Sequence, residues 1–273
     1  MGETTDKADE LGRRADDSAW LDQAVRAGLI AYGVVHLMIA WLALQLALGN
    51  RQGAASSQGA LHELARQSYG TVLIWLIAVG MFLLVLWRLI EAAAGHRGVD
   101  GGKRLRKRLT SLGKAVIYGS LGFSAAKVAM GSGSSGGGSD PMTAKLMNLP
   151  GGQLLVGAVG VAIIGYGAVL VRTAWTEKFR EHLTADGASG DVGRAYVLLG
   201  KAGYAAKGVA FGIVGSLFVY AALTHRAKKS GGLDQALHKV LQQPFGPFLL
   251  AAIALGIGCY GLFCFARARH LSR

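Results

Sequence analysis

KAGYAAKGVAF, residues 201–211, opens a long apolar run yet carries Lys201, Gly203, Lys207 and Gly208 inside it. RAGLIAYGVVH, residues 26–36, has the same plan: a cation, a glycine two residues on (Gly28, Gly203) and a second glycine seven on (Gly33, Gly208). A long apolar run reads as a membrane helix, and its recurrence reads as an internal repeat. Those two readings together decide the fold.

The repetition continues past the opening helix. ALHELARQSYG (60–70) and ALHKVLQQPFG (236–246) align without gaps, pairing His62 with His238, Gln67 with Gln243, Tyr69 with Phe245 and Gly70 with Gly246. A middle unit is more degenerate: GKAVIYGSLG (113–122) sets Tyr118 and Gly119 opposite Tyr32 and Gly33, and TAKLMNLPGG (143–152) sets Pro150 and Gly152 opposite Pro244 and Gly246. Periods of about 86 and 89 residues separate the matched glycines. Each unit is predicted to be a two-helix hairpin.

Six stretches are long enough to cross a hydrocarbon core of about 30 Å, for which a helix needs roughly 20 residues: 28–48, 71–90, 113–131, 152–172, 202–224 and 245–266. The expected architecture is an all-α membrane protein whose three parallel hairpins are related by a pseudo-threefold axis. In order these are a tail (1–25), repeat 1 (26–92), a basic connection (93–111), repeat 2 (112–175), a connection (176–199), repeat 3 (200–267) and a tail (268–273). Leu61, Leu64 and Ala65, then Met142, Leu146 and Leu149, then Leu233, Leu237, Val240 and Leu241 have helical apolar spacing, so a short amphipathic helix is expected on the outer face of each repeat.

The chain has 273 residues, 52% of them hydrophobic, 41 glycines and a net charge of +13. That composition is too apolar and too glycine-rich for an ordinary soluble domain. The position of the cations excludes nucleic acid as the partner: 21 of the 29 Lys and Arg lie on the tails, the second and fourth connections and the adjoining helix ends. The other connections carry 8. The positive-inside rule then puts both termini in the cytoplasm. Lys103, Arg104, Arg106, Lys107 and Arg108 form the densest cluster, a topology determinant or a contact for anionic lipid at the cytoplasmic face. With seven acids in the first 25 residues, the start reads as no cleaved signal peptide.

These residues resemble the actinobacterial membrane proteins of domain-of-unknown-function family 1206, which have three tandem two-helix repeats. The likeness rests on RAGLIAYGVVH, GKAVIYG, GKAGYAAKGVAFGIVG, GGLDQAL, QQPFGP and WRLIEA (87–92), and runs over nearly all of residues 20–270. It implies a multi-pass protein of the bacterial cytoplasmic membrane and transfers no catalytic residue or cofactor.

Apparent motifs dissolve on inspection. GSGSSG (131–136) fits the dinucleotide pattern but follows a membrane helix instead of a strand, and reads as a flexible linker. His62 and His238 lack Cys, Asp or Glu at ligand spacing and read as polar caps; Cys259 and Cys264 read as packing residues. Glu91 is the one acid touching a span and can pair with Arg88 at i, i+3. No catalytic constellation, metal site or cofactor is expected. Gly208, Gly212 and Ser216, spaced by four, and Gly258 are the expected helix-packing residues.

Lys207 aligns with Tyr32 and Tyr118 and lies about 9 Å deeper than Lys201 at 1.5 Å per residue. Its stem can run along the helix while the ammonium snorkels to the headgroups. Alternatively, symmetry gathers Tyr32, Tyr118 and Lys207 around the cytoplasmic mouth of the axis, with His36 one turn deeper, as a site for an anionic ligand or lipid headgroup. Two functions remain open. One is a non-catalytic membrane scaffold or accessory protein that binds lipids or a membrane protein partner, favoured by the scarcity of intramembrane charge. The other is a small-solute carrier or channel, favoured by the internal symmetry.

Overall fold

The computed structural model describes residues 19–50, 53–94, 101–131, 140–182, 190–226 and 230–270. Those residues are helical throughout, with turns between: α1 (Ala19–Ala47), α2 (Ser57–Ala65), α3 (Gly70–Ala94), α4 (Gly101–Ala129), α5 (Asp140–Met147), α6 (Gly152–Trp175), a 3-10 turn (Lys178–His182), α7 (Gly190–Thr224), α8 (Leu233–Leu241) and α9 (Gly246–Arg269). Among the described residues five helices are long and apolar enough to cross a membrane: Asp22–Ala47, Gly70–Ala93, Gly152–Trp175, Gly190–Thr224 and Gly246–Arg269. By length and composition the chain is a multi-pass membrane protein. The third expected span, 113–131 in α4, is not among them: its helix, which starts at Gly101, carries Lys114 and Lys127 within that stretch, together with Gly119, Ser120, Gly122 and Ser124, which lower its apolar character. Likewise α7 begins twelve residues before the expected span edge, and Asp191 sits in its first turn and complements the helix dipole. Both connections are therefore shorter, and more helical, than their polarity implied. The GSGSSG linker beyond Gly131 and the start of the N-terminal tail lie outside the described residues.

The three repeats share one local device. Each short helix is followed by a turn in which the amide of Gly70, Gly152 or Gly246 donates to the carbonyl three residues back, Gln67, Leu149 or Gln243, at 2.8 Å in every case. A Cβ on those glycines would run into the backbone of Leu64, Leu146 or Leu241. Only glycine lets the long helix start this close to the short one. The residue just before takes the left-handed conformation in two repeats, Gly151 at φ 74° and Phe245 at φ 58°. On α2 the buried side chains are Ala60, Leu61 and Leu64, and on α8 they are Ala236, Leu237 and Val240, so both short helices are amphipathic.

The described chain divides into two compact units, the first of residues up to Tyr32 with Leu64–Gly133, the second of Gly33–Glu63 with Ser134–Arg273. In the first unit α3 packs on α4, and on the start of α1 through Gly28 and Gly80: a Cβ on Gly28 would meet the Leu84 side chain, and 2.7 Å away the Gly80 carbonyl. In the second unit α7 packs on α6 and on α9. Reciprocal glycine pairs set the distance: Gly160 with Gly215, Gly167 with Gly208 and Gly33 with Gly261, where a Cβ on either member would lie 2.7–3.0 Å from the carbonyl oxygen of the other. Backbones that approach this closely gain dispersion contacts that lipid tails do not provide.

Gly208 is thus a packing residue, but its companion on α7 is Gly215, seven residues on, and not the i, i+4 series. A Cβ on Gly212 would meet nothing, although its backbone N lies 3.0 Å from where a Cβ on Gly167 would be. Ser216 is exposed and donates to the Gly212 carbonyl at 2.9 Å. Gly258 makes ordinary contact with Ala40. Two helical turns are about 7.2 residues, so a seven-residue spacing keeps both contacts on one narrow stripe of two nearly antiparallel helices.

Candidate functional site

Lys207 lies on the α7 face that α9 covers. At Gly203, one turn earlier, a Cβ would stand 2.6 Å from the backbone N and Cα of Tyr260, so glycine brings the two helices together at this level. The consequence is that the Tyr260 ring lies under the lysine: Nζ is 3.9 Å from the ring centroid, and Lys207 is only 7% exposed. A desolvated ammonium on an aromatic face is a strong form of this interaction. Tyr260 also meets the His36 ring at 4.9 Å and Tyr204 edge-on at 5.2 Å. Tyr204 stacks on Phe179 at 5.4 Å, and Phe179 meets Phe263 edge-on at 5.2 Å. Cys264 is hydrogen-bonded to Tyr260 and near the charges of Lys207 and Arg267. The interior of the second unit at this level is therefore filled by aromatic rings around a buried cation.

In the first unit Tyr32 and Tyr118 meet edge-on, their centroids 5.2 Å apart, both buried. Of the four residues expected at the axis, Tyr32 and Tyr118 belong to the first unit and His36 and Lys207 to the second. The snorkelling alternative gives way to a lysine whose head sits on Tyr260. Sequence reasoning missed Tyr260; its signal was its place fourteen residues after Gly246, at the register of Leu84 and Tyr166 in the other repeats.

The basic cluster sits on α4. Arg108 donates to the Ala93 carbonyl at 2.9 Å, satisfying the C-terminal end of α3. Arg104 is half-buried and Lys107 exposed, while the side chains of Lys103 and Arg106 lie outside the described residues. Nearby, Arg88 pairs with Glu91, and the Ser111 hydroxyl donates to Glu91 at 3.0 Å. Across the short helices, Nδ1–H of His62 donates to the Gln58 carbonyl at 3.0 Å, and that of His238 to the Asp234 carbonyl at 2.9 Å, one matched hydrogen bond in two repeats. Asp234 also accepts the Ala55 amide at 2.7 Å, tying the first connection to the fifth. Among the described residues no three His, Cys, Asp or Glu gather as a metal site.

A second feature lies in KFREH (178–182), within the connection 176–199. Phe179, at the second position of the 3-10 turn, is buried against Gly200, where any Cβ would strike its ring. This plug fixes the turn on α7. It leaves a surface pocket of about 280 Å³ lined by Glu177, Arg180, Arg194, Val197, Leu198 and Lys201. Glu177, at φ 52°, accepts from Lys201 Nζ at 2.6 Å and from Arg180 at 2.7 Å. Those two hydrogen bonds hold its carboxyl below the ordinary value of 4.5.

Comparison with known proteins gives the repeats an independent measure. The family model described as Domain of Unknown Function (DUF1206) matches three times, over residues 27–95, 109–177 and 202–270. The chain is similar to "Uncharacterized protein YxxB" of Bacillus subtilis (strain 168), 27% identical over 259 residues, which span 92% of this chain and 91% of that protein. No solved structure matches it.

Proposed function

The chain belongs to the DUF1206 family, with three tandem copies of its repeat, and from that premise we propose that it is a non-catalytic membrane scaffold or accessory protein that binds lipids and a membrane protein partner. The observation that carries this reading is the filled interior around Lys207: the polar groups that would line a solute path in the second unit are instead packed on Tyr260, Tyr204 and Phe179. A buried cation spent on an aromatic face stabilises one arrangement of helices and offers nothing to a passing solute.

The finer topology belongs to the same proposal. Six spans, α4 being the third, place both termini in the cytoplasm of a bacterium, and a pseudo-threefold axis relates the repeats. Its support is one contact repeated in cyclic order. Gly33, Gly119 and Gly208 are equivalent in the first helices, and Val85, Gly167 and Gly261, each fifteen residues after the opening glycine, are equivalent in the second. Gly208 meets Gly167, Gly33 meets Gly261, and a Cβ on Gly119 would lie 3.7 Å from Val85.

Vesicles reconstituted with the purified chain test the reading. No flux of small anions or neutral solutes above empty vesicles is expected; protein-dependent, saturable flux overturns the scaffold and returns the carrier. Reporter fusions at Gly101 and Gly136 check the topology, with the first expected inside and the second outside.

A further inference from the structure

We propose that the pocket between the 3-10 turn and the start of α7 binds an anionic phospholipid with a hydroxyl-bearing headgroup, of the phosphatidylglycerol type. The proposal rests on the lipid-binding part of the reading above. Three cations, Arg180, Arg194 and Lys201, and one carboxylate, Glu177, line the pocket. Asp191 lies 3.5 Å from Arg194 on the exposed side. The charge left over is modest and fits a singly charged phosphodiester better than a dianion.

The carboxylate is informative. A carboxylate offers about four acceptor positions, and Glu177 uses two on Lys201 and Arg180. Glu177 lines the same pocket as the cations, and a carboxylate with acceptor positions to spare suits hydroxyl donors. A headgroup that combines one phosphate with a glycerol satisfies both kinds of group at once: the phosphate on the guanidinium of Arg194 and its neighbours, the hydroxyls on Glu177.

Two further observations favour a lipid over a free oxyanion. Val197 and Leu198 form part of the wall, and Leu198, Val192 and Trp175 at the end of α6 are 67%, 62% and 87% exposed. Large apolar side chains that stand out beside cations at the end of a membrane helix belong to the interfacial zone, where acyl chains cover them. The pocket is also pre-formed. Phe179 is locked between Gly200, Tyr204 and Phe263, so the turn that presents Glu177 and Arg180 is anchored before any ligand arrives, and the ordering cost of binding is reduced.

The test uses the full chain, delipidated in detergent and titrated separately with phosphatidylglycerol, phosphatidylcholine and inorganic phosphate, with retained lipid counted by native mass spectrometry. Wild type is expected to prefer phosphatidylglycerol over phosphatidylcholine by about tenfold, the combined effect of more than one charge near the surface. Arg194→Gln and Arg180→Gln should each lower that preference about fivefold. Arg226→Gln, an exposed cation on another connection, should leave it unchanged. Thermal melting of each variant within error of wild type shows that folding is not at issue. Equal retention by wild type and both pocket variants overturns the site while sparing the lipid-binding reading. Absence of any preference in wild type overturns both. Displacement of phosphatidylglycerol by millimolar inorganic phosphate assigns the pocket to a free oxyanion and overturns the lipid.

Discussion

In the first repeat Gly28 on α1 abuts Leu84 and Gly80 on α3; in the third, Gly203 on α7 abuts Tyr260, and Gly256 on α9 abuts Ala206, as Gly80 abuts Ala31. The small residues stand at the same register in both hairpins, so the backbones close in the same way. The side chains at that register do not follow. Tyr32, Leu84, Arg88 and Glu91 in one correspond to Lys207, Tyr260, Cys264 and Arg267 in the other. Where the first repeat holds an ion pair bridged to Ser111, the third holds a cation on an aromatic face. Helix approach in a membrane is fixed by where side chains are absent, which leaves the neighbouring positions free to take on different chemistry. The middle repeat has Lys114 and Ala162 where the outer two have glycines, so it lacks this closing device.

The largest effect should come from filling those closures. Gly203→Ala is expected to cost about 3 kcal/mol, because the obstructing atoms are the backbone of Tyr260, which cannot rotate away. Gly28→Ala should cost less, about 2 kcal/mol, since the nearest obstacle is the Leu84 side chain, which can turn aside in part. Gly165→Ala, with open space around it, should stay within about 1 kcal/mol of wild type on the stabilising side. Thermal unfolding in detergent ranks the three. Equal losses at Gly28 and Gly203 would break the distinction between the two hairpins.

Tyr260→Leu installs the residue of the first repeat and should cost about 2 kcal/mol by leaving the buried ammonium without its aromatic face. In that background Lys207→Met should no longer destabilise, and the cycle of single and double variants should give a coupling of about 2 kcal/mol. Additive losses would mean that the ring is packing alone. A smaller change, about 1 kcal/mol, is expected for Ser111→Ala, which removes one hydrogen bond to Glu91 of the first repeat.

Smallest of all is the exposed ion pair of Glu177, in the connection before the third repeat, a counterpart in kind of the better buried Arg88–Glu91 pair. Its carboxyl is held below 4.5 by Lys201 and Arg180. A depressed acid stabilises the fold at pH values above its unfolded pKa, and that contribution disappears as pH falls through the folded value. Wild type should therefore lose slightly more melting temperature than Glu177→Gln between pH 6 and roughly pH 3.5; parallel curves would remove the pair from consideration.

How much of this was readable beforehand depends on the kind of interaction. The repeated glycine that opens the second long helix of each repeat, Gly70, Gly152 and Gly246, is visible as an aligned letter, and its role is local: the obstructing atoms lie five or six residues upstream. The apolar spacing of α2 and α8 is equally local. Tyr260 was not found, because the partner of Lys207 is set by where a second helix crosses the first, and no periodicity within α7 contains that information. The choice of Gly215 over Ser216 has the same origin, a crossing geometry that decides whether the stripe follows four-residue or seven-residue steps.

The sequence by itself determined the helices, the repeat, the family and the membrane character, since each follows from local composition and from spacing along one chain. Only the tertiary structure decided that Phe179 is a buried plug in a charged stretch, that Lys207 rests on Tyr260, and that Arg180, Arg194, Lys201 and Glu177 share one pocket. Those facts depend on distances between segments far apart in the chain. Burial and pairing are properties of what lies across an interface, and a charged or aromatic residue has the same letter whether the neighbouring helix covers it or leaves it to water and lipid.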